Sequence, residues 1–304
     1  MSSIPSDFHQ DYESLRAEIM AQVTGGDLDR ALDLSTQAVD LASKIGDPCL
    51  LDTAICNRAG LLVARGEGET TLGELRMILM RSSASSVRFL ASYALSHYYD
   101  QQEELQKCRF YSESALRYAK LDDNAASLVK AHNRLANLNL LESYFEPALD
   151  GYLEALKLQG SDDSVEAAKV LSNIGYCQAV LGEPITAFRS LSRSLRMVRR
   201  LAADRWLHLP MLGLSYAYLE MGRYERAARY AKSALMNAEV GGPYQQNHVK
   251  NALYLLGEAQ KLCGRDQEAF ECFTHLQLRF YPDQPMVVEV LMATDIRKLI
   301  NLMA

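Results

Sequence analysis

The sequence predicts an all-α fold, an α-solenoid of about seven antiparallel helix pairs, and two observations lead to this prediction. The first is an internal repeat: between Ser127 and Tyr281 nearly the same pattern occurs four times, about 40 residues apart. The clearest copies read LANLNLLESYFEPALDGYLEAL, LSNIGYCQAVLGEPITAFRSLSRSL, LGLSYAYLEMGRYERAARYAKSAL and LYLLGEAQKLCGRDQEAFECFTHL. A repeat of this length is typical of stacked helix pairs, which bury their apolar faces against their neighbours.

The second observation is that small side chains recur at fixed positions of each copy. One reference position opens the second helix of each pair, at Ala31, Leu72, Cys108, Ala148, Ala187, Ala227 and Ala269. Together with the positions twelve residues earlier and seven residues later, 17 of 21 sites hold Ala, Gly, Ser or Cys, against 83 of 304 residues in the whole chain. Small residues at these sites let the two helices of a pair approach closely.

The turns follow the same register. Glycine stands five residues before the reference position in four copies, at Gly26, Gly182, Gly222 and Gly264. At that place the first helix must end and the chain must reverse, which glycine favours. The register therefore predicts where each helix pair turns.

We expect a single solenoid over residues 1–304. Its seven repeats cover about residues 11–46, 47–82, 85–121, 124–160, 164–202, 205–241 and 245–282. In the second repeat Leu72 and Leu79 replace small residues, so we expect a short second helix after the loop from Gly66 to Thr71. Residues 285–303 are apolar on more than one helical face and predict a helix that caps the open end of the stack.

The repeat resembles the tetratricopeptide repeat. The sixth copy carries the resemblance most clearly, at Leu214, Ser215, Gly222, Tyr224, Ala227, Ala234 and Leu235. The resemblance covers about residues 11 to 282 and implies a right-handed superhelix. Because the copies here are 36 to 42 residues apart, they are similar to the long repeats of kinesin light chains and bacterial peptide-pheromone sensors. HEAT repeats, whose period is about 40 to 47 residues, are the second alternative for the fold.

Composition excludes several classes of protein. A net charge of −6 argues against a general nucleic-acid binder, which needs a basic surface to release counterions from phosphates. No apolar stretch approaches the roughly 20 residues that cross a bilayer, and the start of the chain does not resemble a secretory signal. The six cysteines lie inside helical patterns, as small buried residues do. We therefore expect a cytoplasmic protein with no membrane and no direct nucleic-acid contact.

The search for catalytic chemistry finds nothing. The six histidines make no pair at metal-ligand spacing, and there is no phosphate loop, nucleophile elbow or pair of cysteines at CxxC spacing. We expect no catalytic residues, no metal site and no cofactor, so the chain is predicted not to be an enzyme.

The predicted binding site is the inner face of the superhelix, which the resemblance assigns to the first helix of each pair. Its outward positions are Lys130, Asn133, Arg134, Asn137, Lys169, Asn173, Tyr176, Leu212, Tyr216 and Tyr254. Asparagine pairs with peptide main chain, the basic residues hold a carboxylate, and the apolar residues take an anchor side chain. The competing interpretation is an ordinary polar surface, since every helix pair must expose something to water.

Two further surfaces have alternative interpretations. The C-terminal helix, with Val288, Leu291, Met292 and Leu299, either caps the stack or makes a homodimer contact. The arginine row Arg189, Arg193, Arg196 and Arg200 either binds an acidic partner or pairs with the preceding repeat, Asp150 with Arg189 and Glu154 with Arg193.

The sequence thus predicts a non-catalytic scaffold that recognises a protein or peptide segment in its groove. The alternative is an intracellular, peptide-responsive signalling regulator similar to the pheromone sensors, acting through a partner protein. The identity of the partner does not follow from the sequence.

Overall fold

The structure is a computed structural model that describes residues 6–160, 163–240, 245–298 and 301. In this part of the chain we find fifteen α-helices and no β-strand. In chain order they are α1 (Ser6–Gly25), α2 (Leu28–Ile45), α3 (Pro48–Arg65), α4 (Leu72–Arg81), α5 (Ser85–Gln101), α6 (Leu105–Asp122), α7 (Ala125–Leu141), α8 (Phe145–Gln159), α9 (Val165–Val180), α10 (Pro184–Arg200), α11 (His208–Glu220), α12 (Tyr224–Val240), α13 (Gln246–Leu262), α14 (Asp266–Phe280) and α15 (Val287–Ala293).

Helices that follow one another in the chain pack in pairs. Turns of two or three residues join α1 to α2, α5 to α6, α9 to α10, α11 to α12 and α13 to α14. Between α3 and α4 lies a short 3₁₀ turn, Gly68–Thr71, and α4 has only ten residues. The predicted all-α fold of helix pairs is confirmed, and so is the short second helix of the second repeat.

The chain divides into two compact units, Met1–Leu135 and Ala136–Ala304, which we call the first and second units. The first unit contains α1 to α6 and the first part of α7, and the second contains the remainder of α7 and α8 to α15. A continuous single solenoid with the seven repeat boundaries given above stays a prediction.

Small residues sit where two helices of a pair approach closely. A Cβ atom on Gly175 of α9 would lie 2.4 Å from Leu191 Cγ of α10, and one on Gly257 of α13 would lie 2.3 Å from the Phe273 ring of α14. The reference alanines are fully buried, as at Ala187 and Ala269. The small-residue register predicted from sequence therefore marks real contacts between paired helices.

The turns of the pairs use left-handed backbone. Gly182 has φ 84° and Gly222 has φ 66°, values that glycine adopts without steric cost. The equivalent turn positions of two other repeats hold Glu103 at φ 57° and Ser143 at φ 64°. Serine is uncommon in this conformation, so Ser143 departs from the pattern of its repeat.

The C-terminal helix is shorter than predicted. Instead of one helix over residues 285–303, α15 ends at Ala293, and a 3₁₀ turn follows at Ile296–Lys298. The Lys261 amine of α13 donates to the carbonyl oxygens of Leu291 at 2.9 Å and Thr294 at 2.5 Å, at the place where α15 ends. The Lys261 amine thus provides a donor for two carbonyl groups at the end of α15, where helical partners are missing.

Candidate functional site

The first unit contains three of the residues predicted to bind a ligand, all on α7. Lys130 is exposed, Asn133 is half-buried, and Arg134 is buried with 4% of its surface exposed. Their positions on one helix agree with the prediction, but their environments differ. Of these three, only Lys130 is exposed to solvent.

The prediction for Arg134 is corrected by the structure. Its guanidinium donates to Asp100 Oδ2 at 2.9 Å and to the main-chain oxygen of Ser96 at 2.8 Å, both on α5. It also lies 3.0 Å from Cys108 Sγ of α6. Arg134 therefore holds α7 to the α5–α6 pair, and these contacts occupy the donors that a ligand carboxylate would need.

In the second unit, two predicted asparagines lie side by side. Asn173 of α9 donates through Nδ2 to Asn137 Oδ1 of α7 at 3.3 Å, and the Tyr152 hydroxyl of α8 donates to the same oxygen at 2.6 Å. Both amides are half-buried. The pair places polar groups of two successive first helices at one accessible spot.

Lys169 lies one helical turn before Asn173 on α9. Its amine is 2.8 Å from Glu166 Oε1 and 3.7 Å from the centroid of the Trp206 ring. The side chain keeps a quarter of its surface exposed. The Trp206 face stabilises the cation, but the ion pair with the exposed Glu166 already offsets much of its charge.

The predicted apolar residues of the site are buried. Leu212 and Tyr216 are each 4% exposed, Tyr176 is 4% exposed and Tyr254 is 6% exposed. The rings of Tyr176 and Tyr216 meet edge to face at 5.4 Å. The Tyr254 hydroxyl donates to that of Tyr281 at 2.9 Å. The expectation of an open apolar anchor is therefore corrected for these four side chains, which neighbouring groups cover.

Asn137, Lys169, Asn173, Tyr176 and Tyr216 form a strip on the first helices of the second unit, which we call the amide–tyrosine strip. Burial raises the pKa of the Tyr216 hydroxyl, and the nearby Glu220 raises it further. The Tyr216 hydroxyl is thus a neutral hydrogen-bonding group at ordinary pH. The strip offers two half-buried amides and the partly exposed Lys169 for polar contact with polypeptide, whereas its two phenols are buried.

A segment that the sequence did not assign to the site lies at its tyrosine end. The Tyr176 hydroxyl is 3.3 Å from Asn301 Oδ1, and Asn301 Nδ2 is 2.5 Å from the main-chain oxygen of Leu140. Arg297 reaches the main-chain oxygen of Leu219 at 3.3 Å. One signal for these contacts was available in the sequence, namely Ser143 in a turn where four repeats have glycine.

Most of the residues predicted to mediate self-association pack against other helices of the same chain. Val288 and Leu291 of α15 are buried with 8% and 4% of their surface exposed, in the same apolar cluster as residues of α11, α13 and α14. Met292 packs against that cluster, and Leu299 lies outside the described residues. Val288 and Leu291 are therefore not open to a second copy in this structure.

The arginine row lies on the exposed side of α10. Among the described residues, no ion pair joins Asp150 to Arg189 or Glu154 to Arg193, so the expected pairing is corrected: Glu154 pairs with Lys157 of its own helix. Arg200 pairs with Asp163 instead. A shallow cavity of about 480 Å³ lies beside this row, lined by Asp163, Arg193, Arg196, Met197 and Arg200.

His208, which is buried, and His248, which is half-buried, also lie together in the second unit. The rings of His208 and His248 are 4.5 Å apart, and His208 is fully buried. Burial lowers the pKa of His208 to about 4, and burial also lowers the pKa of His248.

Within the described residues, no three His, Cys, Asp or Glu side chains are grouped so that they could hold a metal ion. The described helices also include none long and apolar enough to cross a membrane.

No protein-family model matches the sequence, and no curated protein matches it. Solved structures nevertheless share its fold. A Rap protein complexed with competence and sporulation factor superposes with a TM-score of 0.68 at 11% identity, covering 95% of this chain and 79% of that one. NprR in complex with its cognate peptide NprX gives 0.61 at 13% identity, covering 96% and 83%.

A third structure carries the name of the predicted repeat. It is a signal transduction ATPase with a tetratricopeptide-repeat sensor from Pyrococcus horikoshii, with a TM-score of 0.66 at 14% identity over 99% of this chain and 49% of that one. At these identities the likeness concerns the fold alone. The predicted tetratricopeptide-type solenoid fold is confirmed by these neighbours.

Proposed function

We propose that the chain is a non-catalytic scaffold that binds a peptide or a protein segment along the amide–tyrosine strip of its second unit. The observation that carries this proposal is the contact between Asn137 and Asn173, two half-buried amides on successive first helices. Each amide has two donor hydrogens and an acceptor oxygen, and the bonds to each other and to Tyr152 use only part of this capacity.

Such amides suit the backbone of an extended segment. An extended chain leaves its own N–H and C=O groups unpaired, and these groups must find partners when the segment is buried. Asparagine supplies both kinds of partner whatever side chains the segment carries. Lys169, held over the Trp206 ring and paired with the exposed Glu166, can exchange that partner for an acidic group of the segment.

The comparisons support this function without fixing the ligand. NprR, which has the same fold, was solved with a peptide, and the Rap protein was solved with competence and sporulation factor. Both are cases in which this fold holds another molecule. A peptide-responsive signalling regulator, the alternative function, must also bind a peptide. The same binding measurement therefore tests both interpretations.

The test is a selection from a phage-displayed random peptide library on the immobilised full chain. Enriched peptides are synthesised with a fluorophore, and their Kd is measured by fluorescence polarisation for the wild type, for Asn173→Ala and for the control Arg196→Ala on the exposed side of α10. We expect Asn173→Ala to weaken binding at least tenfold and Arg196→Ala to leave it unchanged. Failure to enrich any peptide, or an equal Kd for Asn173→Ala and the wild type, contradicts the proposal.

A further inference from the structure

Residues 294–298 and Asn301 lie across the C-terminal ends of first helices in the second unit. At α13, the Lys261 amine holds the carbonyl oxygens of Leu291 and Thr294. At α11, Arg297 reaches the carbonyl oxygen of Leu219. At α7, Asn301 reaches that of Leu140. The chain thus crosses back over its own repeats instead of only closing the last one.

The two carbonyls that Arg297 and Asn301 reach are equivalent positions of the repeat. Leu140 and Leu219 each stand eight residues before the reference alanine of their repeat. Each oxygen already accepts one turn N–H, from Ser143 at 3.1 Å and from Gly222 at 3.0 Å. A carbonyl oxygen has two lone pairs, so the side chains use acceptor capacity that the turns leave over.

This row of helix ends is electronegative. The last carbonyls of a helix carry the partial negative charge of its dipole. At the end of α11, Glu220 adds to it and lies 3.7 Å from Arg297. At the end of α13, the fully buried Glu258 is instead paired with the Lys261 amine at 2.7 Å. Such a row favours cationic and amide donors, and the segment presents one of each.

Ser143 connects the segment to the turn. Its Oγ is 3.1 Å from Asn301 Nδ2, and its backbone has φ 64°, where the repeats that end in Gly182 and Gly222 have glycine. Glycine is favoured over serine in this conformation. The serine therefore carries a conformational cost and places a hydroxyl beside Asn301, which glycine would not provide.

We propose that residues 294–298 and Asn301 occupy the tyrosine end of the proposed binding surface in cis, and that the partner which displaces them is an extended segment of the same chemistry. The partner segment carries an apolar residue followed by arginine or lysine, and an asparagine or glutamine stands four residues after that cation. In the chain these places are taken by Ile296, which is fully buried, by Arg297 and by Asn301. This inference rests on the proposed function and names the partner chemistry of that site.

The contacts of the segment suit exchange. Arg297 and Asn301 bind through the tips of their side chains, and Arg297 keeps a fifth of its side-chain surface exposed. Water replaces these hydrogen bonds when the segment opens, which offsets much of their loss, although a charged donor such as Arg297 contributes more than a neutral one. A free segment with the same donors can therefore take the place of the segment in cis.

The experiment uses the full chain and a fluorescein-labelled synthetic peptide of residues 290–304, VLMATDIRKLINLMA. Its Kd is measured by fluorescence polarisation for the wild type and for the variant Arg297→Ala/Asn301→Ala, whose own segment is weakened. We expect the peptide to bind the variant at least tenfold more tightly than the wild type. A peptide with alanine at both places is expected not to bind either protein.

A third variant tests whether the peptide binds beside Ser143, where Asn301 lies in the chain. Ser143→Gly, added to the double variant, restores the residue of the other turns and removes one partner of Asn301. It is expected to fold and to weaken peptide binding several-fold. Equal affinity of the peptide for wild type and double variant, or no effect of the alanine peptide, overturns the inference.

The outcome also separates this inference from the proposed function. If library-selected peptides bind and depend on Asn173, but bind the wild type and the double variant equally, the inference is overturned and the proposed function stands. If neither the library nor the peptide of residues 290–304 binds, both are overturned. A double variant with a lower unfolding midpoint and no affinity for the peptide identifies the segment as a fixed structural cap, which also overturns the inference.

Discussion

Arg134 of α7 donates to the carboxylate of Asp100 of α5 at 2.9 Å, across 34 residues of sequence. The arginine is buried, whereas about a third of the Asp100 side chain is exposed. A residue that sequence analysis assigned to ligand binding is thus part of the packing between neighbouring repeats of the first unit.

We predict that Arg134→Ala lowers the free energy of unfolding by about 2–3 kcal/mol, because it leaves Asp100 and the Ser96 carbonyl without their donor. Urea unfolding followed by circular dichroism measures the change. The matched control is Lys130→Ala, an exposed cation of the same helix, which is expected to change stability by less than about 0.5 kcal/mol. Equal effects of the two substitutions would show that the buried contacts of Arg134 contribute nothing.

Gly257→Ala is predicted to destabilise the chain by about 1–3 kcal/mol, because its Cβ would lie 2.3 Å from the buried Phe273 ring. The control is Gly60→Ala, at the equivalent place of the second repeat, where nothing lies within 4 Å. There alanine favours the helix and is expected to stabilise by up to about 1 kcal/mol. Thermal unfolding of both variants gives the sign, and two shifts of the same sign refute this account of the small-residue register.

The buried His208 predicts a loss of stability in acid. Burial lowers the pKa of His208 to about 4 in the folded chain, against roughly 6.5 for an unperturbed histidine. Between these values the unfolded chain binds a proton that the folded chain does not, so stability falls as pH decreases from 6.5 towards 4. His208 contributes at most about 3–4 kcal/mol to this loss.

The variant His208→Gln isolates that contribution. It removes one titrating group, so the difference in the free energy of unfolding between pH 7 and pH 4.5 is expected to shrink by about 2 kcal/mol. Urea unfolding at the two pH values measures it for both proteins. An unchanged difference would mean that His208 is protonated in the folded chain as readily as in the unfolded one.

The arginine row is predicted to contribute little to stability, because Arg189 and Arg193 have no ion pair with α8 among the described residues. A double-mutant cycle of Asp150→Ala and Arg189→Ala measures the coupling directly. We expect a coupling energy below about 0.5 kcal/mol, typical of exposed charges. A coupling above about 1 kcal/mol would restore the pairing that the sequence suggested.

The sequence predicted the fold well because the determinants are local and periodic. Alanine at Ala187 and Ala227 and glycine at Gly182 and Gly222 act within one helix pair, and the register repeats them. The short α4 also followed from Leu72 and Leu79, which break that register. Each of these signals is visible within a window of one repeat.

The site was less predictable because its environment depends on distant residues. Helical spacing placed Tyr176 and Tyr216 on one face, but only the structure brings Asn301 to Tyr176 and Arg297 near Tyr216. Likewise, the burial of Arg134 depends on Asp100 of the preceding repeat. Periodicity indicates which side of a helix a residue occupies, but not what covers that side.

The most direct test of the central claim is amide hydrogen exchange, followed by mass spectrometry, on the full chain with and without a library-selected peptide. We predict that the peptide slows exchange in segments of α9 and α11 that contain Asn173, Tyr176 and Tyr216, while α10 and α12 exchange unchanged. Protection confined to α10 and α12 would contradict binding along the amide–tyrosine strip and would place the ligand on the arginine-lined side.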